Sequence, residues 1–205
     1  MKFLSIRRGF QADHSSTSYE FLAIDKKLTA HDKAAVSKLS SRVRPTDTRA
    51  HFFYNGEWSD LPGGWEPLME KYYDVMAHES YDWWTLAMAF PCDKEQLREL
   101  KKCDFAGTDD QGVAIDWKED RAVVAIHCRL SQDCGYGDAD EDGDGENSIL
   151  DLLKKNRTFL IAGDYRLLRG VRGKYGDGKS AADMPAKSTQ RLPGAVKKLL
   201  EMMGE

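Results

Sequence analysis

Gly173-Lys174-Tyr175-Gly176-Asp177-Gly178-Lys179-Ser180 satisfies the pattern GxxxxGK[ST] letter for letter, the arrangement in which glycine amides and a lysine cradle nucleotide phosphates. That chemistry needs an apolar strand delivering the glycines and a helix beginning at the lysine, so that backbone N–H groups and the helix dipole face the phosphates. The residues before the string, YRLLRGVR, are charged and helix-like, and Pro185 follows closely. FLAID (21 to 25) offers an apolar strand and an aspartate for magnesium, but far upstream. The string therefore reads as a coincidence of letters.

A second set is Asp140, Glu141, Asp142, Asp144 and Glu146, carboxylates at alternate positions with glycines between, as in a calcium loop. Asp151 takes the place where a longer Glu usually gives bidentate ligation, Asn147 stands where an apolar residue is usual, and a strand rather than a helix leads in. A solvated acidic loop is the simpler reading. If an ion binds at Asp140, Asp142, Asp144 and Asp151, their hard oxygens suit calcium or magnesium, and no cofactor is otherwise expected.

His127, Cys128, Cys134, Asp133 and Cys103 supply zinc-ligating types. Neighbouring strand residues point to opposite faces, so His127 and Cys128 do not converge on one ion. Asp13-His14-Ser15-Ser16-Thr17 joins an acid, an imidazole and hydroxyls ahead of a strand, where such residues ordinarily satisfy turn hydrogen bonds. The aromatics Trp58, Trp65, Tyr72, Tyr73, Trp83 and Trp84 crowd a short span; all but Trp58, in the turn-rich NGEWSDLPGG, have core spacing.

The elements that must position these residues follow from periodicity and turn chemistry. SYEFLAI (18 to 24) and RAHFFYN (49 to 55) read as strands, separated by a helix that Thr29 caps with Asp32 three residues on. WEPLMEKYYDVMAHE (65 to 79) carries apolar residues at helical spacing and reads as one long helix. WWTLAMAF (83 to 90) is a buried strand and DKEQLRELKK a short helix begun by Asp93. GVAIDWK and RAVVAIHCRL form a hairpin across Glu119 and Asp120. Helices follow at 147 to 157, 164 to 174 and 193 to 203, with an irregular linker over 176 to 191. The fold class expected is α+β, a mixed or antiparallel sheet with packed helices followed by a C-terminal helical region. The division expected is a sheet domain over 1 to 147, with its acidic loop at 131 to 147, and a basic helical region over 148 to 205 packed on it.

The composition, 41% hydrophobic and 31% charged over 205 residues, is that of a chain able to bury a sizeable core. No apolar run is long enough to span a membrane, the opening MKFLSIRRGF is too short of apolar residues for a secretory signal, and the four cysteines have no CxxC spacing. Reduced thiols, a cytoplasmic location and no membrane partner are expected. Residues 152 to 205 carry 12 Lys/Arg and 5 Asp/Glu, a net of +7, which leaves −11 on residues 1 to 151 of a chain with net charge −4.

YEFLAIDKKLT, LSSR, LMEKYYDV and a strand ending in FP, with LLDLLKKNRTFLIAGDYRLLRGV and KYG later, resemble a family of uncharacterised bacterial proteins whose members read YEFLAIDRPLT, LSxRA and LMExYFDA. The resemblance covers 18 to 91 and 149 to 175 and implies a cytoplasmic bacterial protein; that family brings no established activity or catalytic signature. Its acidic insertions vary, which argues against a dedicated calcium loop.

Two functions are carried forward. The first is a non-catalytic binding or adaptor module whose C-terminal helices, through Lys154, Lys155, Arg157, Arg166, Arg169 and Arg172, engage an acidic protein or nucleic acid. The second is a metal-dependent hydrolase using the carboxylates of 138 to 151 with His14 and His127.

Overall fold

A computed structural model describes residues 16–55, 61–80, 83–130, 148–176 and 191–204. Seven strands form one sheet: β1 (Ser16–Leu22), β2 (Arg49–Asn55), β3 (Val75–Ser80), β4 (Trp83–Pro91), β5 (Phe105–Ala106), β6 (Gly112–Lys118) and β7 (Arg121–Arg129). Their order is β2-β1-β3-β4-β7-β6-β5, and each neighbouring pair is antiparallel. The helices are α1 (Ala30–Ser37), α2 (Glu66–Lys71), α3 (Lys94–Lys101), α4 (Ile149–Ile161), α5 (Arg166–Tyr175) and α6 (Gly194–Met202). The class is thus α+β, with an antiparallel sheet and a C-terminal helical region.

The central strands β4 and β7 are apolar along nearly their whole length because both faces are covered, which removes the alternation of a half-exposed strand. On one face Leu86, Met88, Phe90, Val124, Ile126 and Cys128 meet apolar residues of α3 to α6. On the other, Tyr19, Phe21, Phe52, Met76, Ala87 and Ala125 pack with Val36 of α1 and with Trp65, Leu68 and Met69 at α2. The helical region shares a core with the sheet.

Several expected boundaries hold. β2 spans the expected residues, β6 and β7 form the expected hairpin, and Thr29 and Asp32 make a reciprocal capping box on α1. Asp93 caps α3 by accepting from the Gln96 amide at 2.8 Å.

The expected single helix over 65 to 79 is corrected. α2 ends at Lys71, Asp74 is buried, and Val75–Ser80 is a strand held between β1 and β4. The spacing of Trp65, Leu68, Met69, Tyr72, Val75 and Met76 suits a helix, but a strand buried on both faces is equally apolar, and two neighbouring strands give its backbone a complete ladder. The two-residue β5 also went unread; it is too short to carry a period.

Candidate functional site

α4 is begun by Ser148, whose hydroxyl accepts from the Asp151 amide at 3.2 Å, with the Asp151 carboxylate in the first turn where the helix dipole favours it. Ile149, Leu150, Leu152, Leu153, Asn156 and Leu160 fall on the buried side. Lys154 and Lys155 are therefore turned to solvent, and Lys155 reaches back to Asp151 at 2.5 Å. On α6, Val196, Leu199 and Met202 face inward while Lys197 and Lys198 are exposed. The side of the molecule away from the sheet thus presents lysines from two helices.

The arginines expected on that face have other employment. Arg157 is buried: its Nε donates to the Ala89 carbonyl at 2.7 Å, its Nη1 to Asp25 Oδ1 at 3.0 Å, and its Nη2 to Asp25 Oδ2. It does not stand on the exposed face, because the centre of α4 lies directly on the sheet. Arg166 is clamped by Asp164 at 2.5 Å and donates to the Arg191 carbonyl at 2.9 Å. Arg172 donates to the Lys102 and Asp104 carbonyls at 3.2 and 3.0 Å and lies over the Phe105 ring. Arg169 is half-buried, and its Nε has no hydrogen-bond partner among the described residues.

Arg157 belongs to a charge cluster that the sequence did not disclose. Asp74 Oδ1 accepts from Arg121 Nη2 at 2.7 Å, and Asp74 Oδ2 from the Ile24 and Asp25 amides at 2.5 and 2.8 Å. Arg121 also donates from Nε to the Met69 carbonyl at 3.0 Å and from Nη2 to that of Tyr73 at 2.8 Å. Burial opposes the charge on Asp74, but Arg121, the two amides and Arg157 together hold its carboxyl below the usual range. The cluster joins the exit of β1, the α2–β3 turn, β4, β7 and α4. Its donors and acceptors are spent on one another, which makes it a fastening. The only signals in sequence were an aspartate ending FLAID, an aspartate breaking an apolar run and an arginine opening a strand.

A second buried polar set crosses the other face of the sheet. Tyr19, His78, Thr85 and His127 are successive cross-strand partners on β1, β3, β4 and β7. The Tyr19 ring stacks on His78 with centroids 4.1 Å apart, and Thr85 Oγ1 lies 3.2 Å from His127 Nδ1. Burial, with His78 alongside, drives the His127 imidazole down to about 3. A neutral imidazole of such low basicity is far from the range in which a general base works near neutral pH.

The zinc-type residues separate as strand geometry requires. Cys128 is buried among the residues facing α3 to α6, His127 on the opposite face. Burial pushes the Cys103 thiol up to about 11, away from thiolate chemistry, and Cys92, Cys103 and Cys128 are unbridged. No group of three or more His, Cys, Asp or Glu suited to a metal occurs among the described residues. Asp133, Cys134, Asp140, Asp142, Asp144, Asp13, His14 and Trp58 lie outside them.

Of the phosphate-loop string, Gly173, Lys174 and Tyr175 form the last turn of α5, where a strand would be needed. Lys174 Nζ donates to the Met203 carbonyl at 2.8 Å and Tyr175 Oη to that of Gly204 at 2.9 Å, tying α5 to the end of α6. Asp177 to Ser180 lie outside the described residues.

No family model, curated protein or solved structure matches this chain. No helix among the described residues is long and apolar enough to cross a membrane.

Proposed function

We propose that this chain is a non-catalytic binding or adaptor module that engages an acidic protein or nucleic acid through its basic C-terminal helices. One observation carries the reading: α4 and α6 turn Lys154, Lys155, Lys197 and Lys198 outward, in the part of the chain whose net charge is +7 while the remainder carries −11. The contacting set narrows accordingly from the sequence expectation, with Arg157 working inside the fold and the lysines of α4 and α6 outside. Lysines on a solvated helical face attract a polyanion at long range and release counterions on contact.

The hydrolase reading gains no support of this kind, since the imidazole it requires at His127 is buried and held neutral. The test is binding of fluorescent polyglutamate and of a DNA duplex by the full chain and by a Lys154→Ala, Lys155→Ala, Lys197→Ala, Lys198→Ala variant. Binding by the parent that the variant loses is the expected result. Equal binding by both, or none by either, rejects the proposal.

A further inference from the structure

Among the described residues, the large hydrophobic side chains with substantial exposure are Phe53 on β2, Ile161 at 44% and Leu192 at 40%. The last two are brought to one place by the fold. Asn156 Nδ2, in the second half of α4, donates to the Ala195 carbonyl at 3.2 Å, and Arg166 Nη1, at the start of α5, donates to the Arg191 carbonyl at 2.9 Å. The entry to α6 is thereby pinned beside the later turns of α4. Ile161, the final residue of α4, and Leu192, two residues before α6, come to the same end of the helical layer, next to Arg166.

The neighbouring charges have a particular character. Arg157 and Arg172 are spent on internal partners, and Arg166 is closed by Asp164 and a carbonyl. A planar guanidinium fork is the group that reads phosphates and guanine edges bidentately, and here those forks are turned inward. The outward cations are lysine ammonium groups, Lys154 and Lys155 on α4 and Lys197 on α6, with Lys197 within 3.4 Å of Glu201. None of the exposed large hydrophobics on these helices is aromatic, so the face offers no ring on which a base would stack. Point cations beside two aliphatic side chains complement carboxylates interleaved with aliphatic residues, which is the chemistry of an acidic amphipathic peptide.

Resting on the binding reading above, we infer that the α4–α6 face, with Ile161 and Leu192 at its end, is a docking surface for an acidic, aliphatic-bearing peptide segment of a partner protein. The aliphatic pair supplies the preference over a plain polyanion, and the lysines supply encounter rate and affinity. Neither side chain is part of the core, so both can be changed without opening it.

The test is fluorescence anisotropy with three probes on the full chain: a peptide alternating glutamate and leucine, polyglutamate of the same charge, and a DNA duplex of the same charge. The expected result is that the Glu/Leu peptide binds about 10-fold tighter than polyglutamate and that an Ile161→Ser, Leu192→Ser variant loses that advantage, as expected for partial burial of two aliphatic side chains. Matching circular dichroism spectra establish that the variant is folded, and Leu192→Ser alone, outside the helix, serves if α4 frays. Equal affinities for the two peptides, an unchanged preference in the serine variant, or tighter binding of the duplex overturns this inference while leaving the lysine face as a polyanion site. Failure of all three probes to bind rejects the inference and the binding reading together.

Discussion

Arg157 Nη2 lies 3.4 Å from Asp74 Oδ1 with each side chain only 5% exposed, joining the middle of α4 to the residue that ends the α2–β3 turn. Asp25 completes the arrangement from the exit of β1, 132 residues away in sequence from the arginine it holds. Because the group is charged and buried, its parts depend on one another.

Removing one partner leaves an uncompensated buried charge. Arg157→Ala and Asp74→Ala are each expected to cost about 3–5 kcal/mol, measured by urea unfolding. Breaking the exposed Lys118–Glu70 pair at 2.6 Å with Lys118→Ala should cost less than about 1 kcal/mol, because solvent screens it. Similar losses for both pairs would show that the buried cluster is not a fastening.

Acid should weaken the fold through two groups whose signs agree. The unfolded chain binds a proton at His127 near 6.5, whereas the folded chain resists until about 3, so stability present above the first value is lost as pH falls toward the second. Asp74, held below the usual carboxylate range, adds a loss at still lower pH as it is forced to protonate. His127→Gln keeps an amide within reach of Thr85 and removes the titration. The fall in stability between neutral pH and about pH 4 should be at least about 1 kcal/mol smaller in that variant than in the parent, and equal falls would contradict the assignment.

Two glycines separate backbone from side-chain crowding. A Cβ at Gly107 would stand 2.2 Å from the Tyr175 carbonyl oxygen and 2.9 Å from that of Gln111, neither of which can rotate away. At Gly170 the nearest atom is Leu200 Cδ1 at 2.4 Å, the end of a side chain that is only partly buried. Gly107→Ala is expected to cost about 1–3 kcal/mol in thermal or urea unfolding and Gly170→Ala clearly less. The reverse order would mean that the α5 terminus is not fixed against the β5–β6 turn.

Much of this fold is legible in sequence because its signals are local. Thr29 with Asp32, Asp93 with Gln96, and the Glu119–Asp120 turn each announce an element within a few residues. The misread segment shows where local signals fail. Val75 and Met76 continue the apolar spacing begun at Trp65, and only strand partners supplied by β1 and β4 decide that the chain extends there. The cluster of Asp25, Asp74, Arg121 and Arg157 was illegible for the same reason, since its members come from four separated segments and each alone resembles a surface charge. Among the candidate binding residues, the lysines of α4 follow from helical periodicity once the buried face is placed. Arg157 does not, because whether an arginine between two apolar residues points in or out is settled by its partners.

The lysine face of α4 and α6 is tested most directly by the salt dependence of polyglutamate binding. For the parent chain log Kd should rise steeply and linearly with log salt concentration, and changing Lys154, Lys155, Lys197 and Lys198 to alanine should flatten that slope as counterion release is lost. A slope that is shallow in the parent, or unchanged by the four substitutions, would contradict the account.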